Sequence, residues 1–73
     1  MKRTPLRDGD AIRRERLQMI VEIVRRDPRI RITKIQVLMA MKTGLTKKRI
    51  SEYVKELVDG ELLIEDNGHF KVA

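Results

Sequence analysis

The chain has no cysteine, no tryptophan, one histidine and two aromatic residues, Tyr53 and Phe70, among 73. Without cysteine there are neither disulfides nor thiolate metal sites. The lone His69 has no second ligand at usable spacing, so no metal and no cofactor are expected. The scarcity of aromatics argues against RNA recognition by base stacking, which needs exposed platforms. There is no glycine-rich phosphate loop and no pair of acids set on an apolar wall. An enzyme with a small-molecule substrate is therefore not expected. The longest apolar run, Val37 to Met41, is far below the ~20 residues of a membrane span. The start, "MKRTPLRDGD", carries charge with no apolar stretch behind it, so no secretory signal is visible and a cytoplasmic location is expected.

What the chain does have is positive charge, with a net of +6 and a pI near 10.2. The distribution is uneven: residues 1–55 hold 16 Lys and Arg against six acids, a net of +10, whereas residues 56–73 have a net of −4. One basic face and one acidic end follow, and an anionic partner, nucleic acid first, suits the basic one. A chain of this length makes one domain and buries only ~60% of the surface it exposes when unfolded. Self-association would add stability that so small a core cannot.

Residues 1–9, with Pro5 and Gly9 and no hydrophobic periodicity, read as a flexible basic arm before a domain spanning 10–73. Asp8 or Asp10 can cap a first helix that runs to about Arg26, where Pro28 stops it. Leu17, Ile20, Val21 and Val24 make its buried stripe. A second row, Ile12, Met19 and Ile23 with Arg16 aligned, is wider than a small core needs. Either the rest of the domain covers it or it is a homodimer contact.

"RIRI", Arg29 to Ile32, alternates polar and apolar and predicts a short strand. Thr33 is the expected cap of a second helix ending at Lys42 or Thr43, with Gly44 left-handed behind it. Ile35, Leu38, Met39 and Lys42 share one side, with Val37 and Met41 flanking, and Met39 and Met41 are expected in the core. Thr46 caps a third helix that reaches Asp59 and stops at Gly60. Ile50, Val54 and Leu57 point inward, with Tyr53 and Val58 on the flanks. Lys48, Glu52, Lys55 and Asp59 point outward, with Arg49 and Ser51 at the shoulders. "ELLIE" and "HFKVA" then bracket "DNG", and Asn-Gly predicts a two-residue hairpin turn.

Two helices joined through "KTGLT", followed by a hairpin, form a helix-turn-helix with a wing. Over nearly the whole chain the pattern resembles the winged helix-turn-helix family, an α+β fold. "LMAMKTGLTKKRISEYVKELVDGELL" carries the likeness: Met39-Ala40 stands where the family has Leu-Ala, Gly44-Leu45-Thr46 is the turn, and Ile50, Val54 and Leu57 are the core spacing. The size and composition also resemble the small stand-alone winged-helix proteins of archaea, their viruses and plasmids. One departure is "DGELL", where the family more commonly has glycine directly before the leucine pair.

The resemblance implies that the third helix enters the DNA major groove. Its start, Thr46, Lys47 and Lys48, suits phosphates, and Arg49 and Lys55 suit phosphates or guanine edges. Ser51 can donate to a base or a phosphate. Glu52 either accepts from a cytosine amino group or pairs with Lys48 or Lys55 along the helix. Tyr53 is read as core rather than contact. Lys2, Arg3 and Arg7 of the arm can enter a minor groove, or the arm is a plain tail. Arg13, Arg14, Arg25 and Arg26 either touch phosphates or solvate the first helix.

The wing tip, Glu65-Asp66-Asn67-Gly68, is acidic where winged regulators carry cations, so either this wing avoids DNA or DNA is not the ligand. The expectation is sequence-specific binding of double-stranded DNA by a homodimeric transcriptional regulator. The rival expectation is a protein-interaction winged helix that uses its acidic wing.

Overall fold

A computed structural model describes residues 5–73, those before Ala11 by their backbone alone. Helix α1, Pro5–Arg26, is followed by strand β1, Ile30–Arg31, then α2, Ile32–Thr43, and α3, Lys47–Asp59. Strands β2, Leu63–Asp66, and β3, His69–Val72, close the chain as a hairpin. The sheet is antiparallel with order β1-β3-β2. Ile30 pairs with Phe70 and Leu63 with Val72, which turns those four side chains to the helices. This is a winged-helix-like α+β arrangement.

One apolar core joins all the elements: Ile20 and Val24 of α1, Ile35 and Met39 of α2, four residues of α3, and Ile30, Leu63 and Phe70 of the sheet. No polar residue is buried among those described. The α3 contribution is Ile50, Tyr53, Val54 and Leu57, the inward face that helical spacing predicts, with Tyr53 packed inward.

Several element boundaries differ from expectation. Helix α1 begins at Pro5 rather than after Asp8 or Asp10, so the backbone of Pro5 to Gly9 is helical. Proline suits a first helical position because its missing N–H would be unpaired there anyway. Residues 1–4 lie outside the described residues.

Strand β1 spans Ile30–Arg31 alone, and Arg31, not Thr33, is the N-cap of α2, with no side-chain cap bond. Ile32, Ile35 and Met39 keep the i, i+3, i+7 spacing of a buried stripe, so packing starts the helix two residues early. Met41 is 79% exposed, not core, because two helical positions after Met39 point nearly the opposite way.

Gly60, expected as the left-handed helix stop, has an ordinary φ of −83°. Glu61 takes the left-handed conformation instead, at φ 63°. Leu62 N–H then donates to the Leu57 carbonyl at 2.9 Å, and Glu61 N–H to that of Val58 at 3.0 Å, a Schellman stop. Helix α3 ends at Asp59, as its spacing predicts. At the other tight turn, Asn67 and Gly68 have φ of 56° and 83°, the pair of positive angles that a two-residue hairpin needs.

Candidate nucleic-acid interface

The angle between α2 and α3 is set by a short polar corner. Gly44, left-handed at φ 77°, donates its N–H to the Ala40 carbonyl. Thr43 Oγ1 donates to the Met39 carbonyl at 2.7 Å and accepts from Leu45 N–H at 3.2 Å. Thr46 Oγ1 accepts from Arg49 N–H at 3.2 Å, the cap expected of it. Across the two helices, Gln36 Nε2 donates to Ser51 Oγ at 2.7 Å, and both side chains are half-buried. Ser51 is thus engaged within the protein.

Lys47, Lys48, Arg49, Glu52 and Lys55 are all exposed. The first turn of α3 contains Lys47, Lys48 and Arg49 and no acid. That turn also carries the positive end of the helix dipole, and each cation there opposes it by ~0.3–1 kcal/mol. Farther along, both glutamates have partners, while Lys55 makes no ion pair among the described residues. Glu52 pairs with Arg49 at 3.5 Å rather than with Lys48 or Lys55, because Arg49 stands one turn before it with a longer reach. Glu56 pairs with Arg13 of α1. The uncompensated charge is therefore concentrated at the helix start. The first turn of α2 likewise lacks an acid and contains Lys34.

On the wing, the outward face carries Arg31, His69 and Asp66 in one cross-strand row and Lys71 with Ile64 in the next. Arg31 Nη1 lies 3.4 Å from where a Cβ on Gly68 would stand, so its guanidinium rests against the hairpin turn. The tip that reads as purely acidic in sequence is joined in space by a cation from β1. Alternation in "RIRI" puts Arg31 opposite Ile30, but only the pairing of β1 with β3 brings it to the tip.

Of the expected arm residues, Lys2 and Arg3 lie outside the described residues, and of Arg7 only its backbone, within α1, is described. Among the expected dimer residues, Ile12 is exposed, while Arg16, Met19 and Ile23 are half-buried. Met19 and Ile23 line a groove of about 550 Å³ between α1 and α2, which also takes in Leu38. Ile12 and Arg16 are not part of its lining. Arg25 pairs with Glu22 at 2.8 Å, so of the four helix-1 arginines considered for phosphates, Arg13 and Arg25 have carboxylate partners in the chain.

Among the described residues no cluster of side chains fits a metal ion, and no helix is long and apolar enough to cross a membrane. The chain matches no family model, no curated protein and no solved structure.

Proposed function

We propose that the protein binds double-stranded DNA sequence-specifically, as a homodimeric transcriptional regulator with α3 in the major groove. The observation that carries this is the first turn of α3: three exposed cations, no acid, and a helix held at a fixed angle by the Thr43, Thr46 and Gln36–Ser51 bonds. A cationic helix start is compensated by an external polyanion, and phosphate oxygens meet both the lysines and the free N–H groups there. Thr46 fixes the start of the reading helix. Lys47 and Lys48 hold phosphates. Arg49 and Lys55 reach phosphates or base edges, and of the two only arginine offers a bidentate fork to guanine.

The Arg49–Glu52 pair does not block this reading. Both side chains are more than half exposed, so the pair is worth only ~0.2–1 kcal/mol and yields to a phosphate or a guanine. Ser51 helps to hold α3 by accepting from Gln36, and its O–H remains free to donate to a base or a phosphate.

The test is duplex binding by fluorescence anisotropy at about 50 and 200 mM salt. Four cations per protomer, all neutralising phosphates, lose about two decades of affinity over that range, and two protomers about four. Binding that is flat with salt, or unchanged when Lys48 and Arg49 become alanine, removes α3 as the DNA element.

A second reading has its own support. Leu62 and Ile64, 56% and 43% exposed, lie beside Glu61 and Glu65, an apolar and acidic surface suited to a basic protein partner. It becomes the leading reading if no duplex is bound at the lower salt.

A further inference from the structure

We propose that the α1–α2 groove is a self-association surface, in which the acidic edge of α1 in one copy lies along the basic edge of α2 in the other. This rests on the homodimer of the proposed function and specifies which faces meet.

The floor of the groove is apolar, formed by Met19, Ile23 and Leu38. Every described side chain from Ala11 to Glu15 is exposed, and Leu17 and Met19 are only partly buried against the core. A helix face so incompletely covered gains stability from further tertiary contact.

Charge decides what covers it. Along α1 the rim carries Glu15 and Glu22, with Gln18 between them, and along α2 it carries Lys34 and Lys42. Asp27 pairs with Lys34 at 3.3 Å, which marks one end of the groove. From that end the α1 rim runs back through Glu22 to Glu15 while the α2 rim runs forward through Leu38 to Lys42. Counted from that pair, Glu22 lies ~7.5 Å and Glu15 ~18 Å back along α1, and Lys42 lies ~12 Å along α2, so Lys42 stands across the groove between Glu22 and Glu15.

A two-fold axis lying along the groove turns one copy over onto the other and exchanges the rims. Lys42 then falls between the partner's Glu15 and the partner's Glu22, each contact occurring twice, as an isologous interface requires. Arg26, at the Asp27 end of the α1 rim, is the one cation on the acidic side. At that end Glu22 and Lys34 already have in-chain partners, Arg25 and Asp27. Glu15 and Lys42 make no ion pair among the described residues and carry the selectivity. A helix 1 contact built on Ile12 and Arg16 would leave this groove and both its rims open.

The experiment is analytical ultracentrifugation of wild type, Glu15→Lys, Lys42→Glu, and an equimolar mixture of the two variants, with circular dichroism to confirm folding. Each variant alone faces like charges at both symmetric contacts and is expected to dissociate about tenfold or more easily than wild type. In the mixture, the lysine introduced at position 15 of one copy faces the glutamate introduced at position 42 of the other. The native Glu15 and Lys42 also meet there, so the dimer mass returns. Single variants that dimerise like wild type, or a mixture that stays monomeric, overturn the proposal while leaving a homodimer through another face. A monomeric wild type overturns the homodimer itself. DNA binding through α3, read separately by anisotropy on a single protomer's salt slope, stands or falls independently.

Discussion

Gln36 of α2 and Ser51 of α3 meet through a 2.7 Å hydrogen bond between half-buried side chains, tying the two helices of the helix-turn-helix together away from the turn itself. Removing one partner leaves the other partly desolvated and unpaired, at a cost of about 1–3 kcal/mol. Ser51→Ala and Gln36→Ala are therefore expected to lower stability by similar amounts in urea denaturation, and their effects to be non-additive in the double variant. Both should weaken DNA binding equally, through the helix angle. If Ser51→Ala costs DNA affinity and no stability while Gln36→Ala is neutral, the serine is a DNA contact and this bond is incidental.

The cations of α3 divide by position. Lys48 and Arg49 stand on a first turn without an acid, Arg49 held only by its exposed pair with Glu52, whereas Lys71 is on the outward face of the sheet next to Ile64. Arg49→Ala should weaken duplex binding by about 1–3 kcal/mol and Lys71→Ala by much less. Equal losses, measured by anisotropy on one duplex at one salt concentration, would move the binding surface from α3 to the sheet.

Much of this architecture is legible in the chain. Gly44 and Thr46 bracket a helix-turn-helix corner, and Asn67-Gly68 fixes the hairpin, because each is a local requirement on backbone angle or an orphan N–H. The inward face of α3 follows from 3.6-residue spacing. The boundaries that moved were decided by packing between elements. Ile32 joins α2 because the core needs it, overriding a good cap at Thr33. Met41 looked like core on composition, and only its angular position relative to Met39 shows otherwise.

At the candidate site, the individual cations of α3 can be read directly, but their partners cannot. Arg13 with Glu56, Gln36 with Ser51, and Arg31 with the wing turn all join residues distant in the chain, and no periodicity records them.

Arg31 changes what is expected of the wing. Its guanidinium rests on the Gly68 side of the turn, so the tip presents a cation in the same cross-strand row as Asp66. If the wing approaches DNA, Arg31 is the residue that meets phosphate. Arg31→Ala is then expected to weaken binding about equally for all sequences and to reduce the salt slope by about one. An unchanged slope would assign Arg31 to the wing's own structure and leave the wing clear of DNA.

Among the described residues, Glu61 is the one in a conformation that its type disfavours without an evident return. Its φ of 63° supports the Schellman stop of α3, yet its side chain is exposed and makes no ion pair among the described residues. A non-glycine residue in the left-handed region costs roughly 1–2 kcal/mol, partly offset by the greater freedom glycine has when unfolded. Glu61→Gly should therefore raise stability by about 0.5–1 kcal/mol, or several degrees in Tm for a domain this small. It also removes a negative charge from the acidic end, so its effect on partners is informative. Unchanged DNA affinity in a more stable protein would show strain confined to the helix stop. A loss of stability would mean that the Glu61 side chain makes a contact worth more than the strain, and binding assays with basic peptides would then be the place to find it.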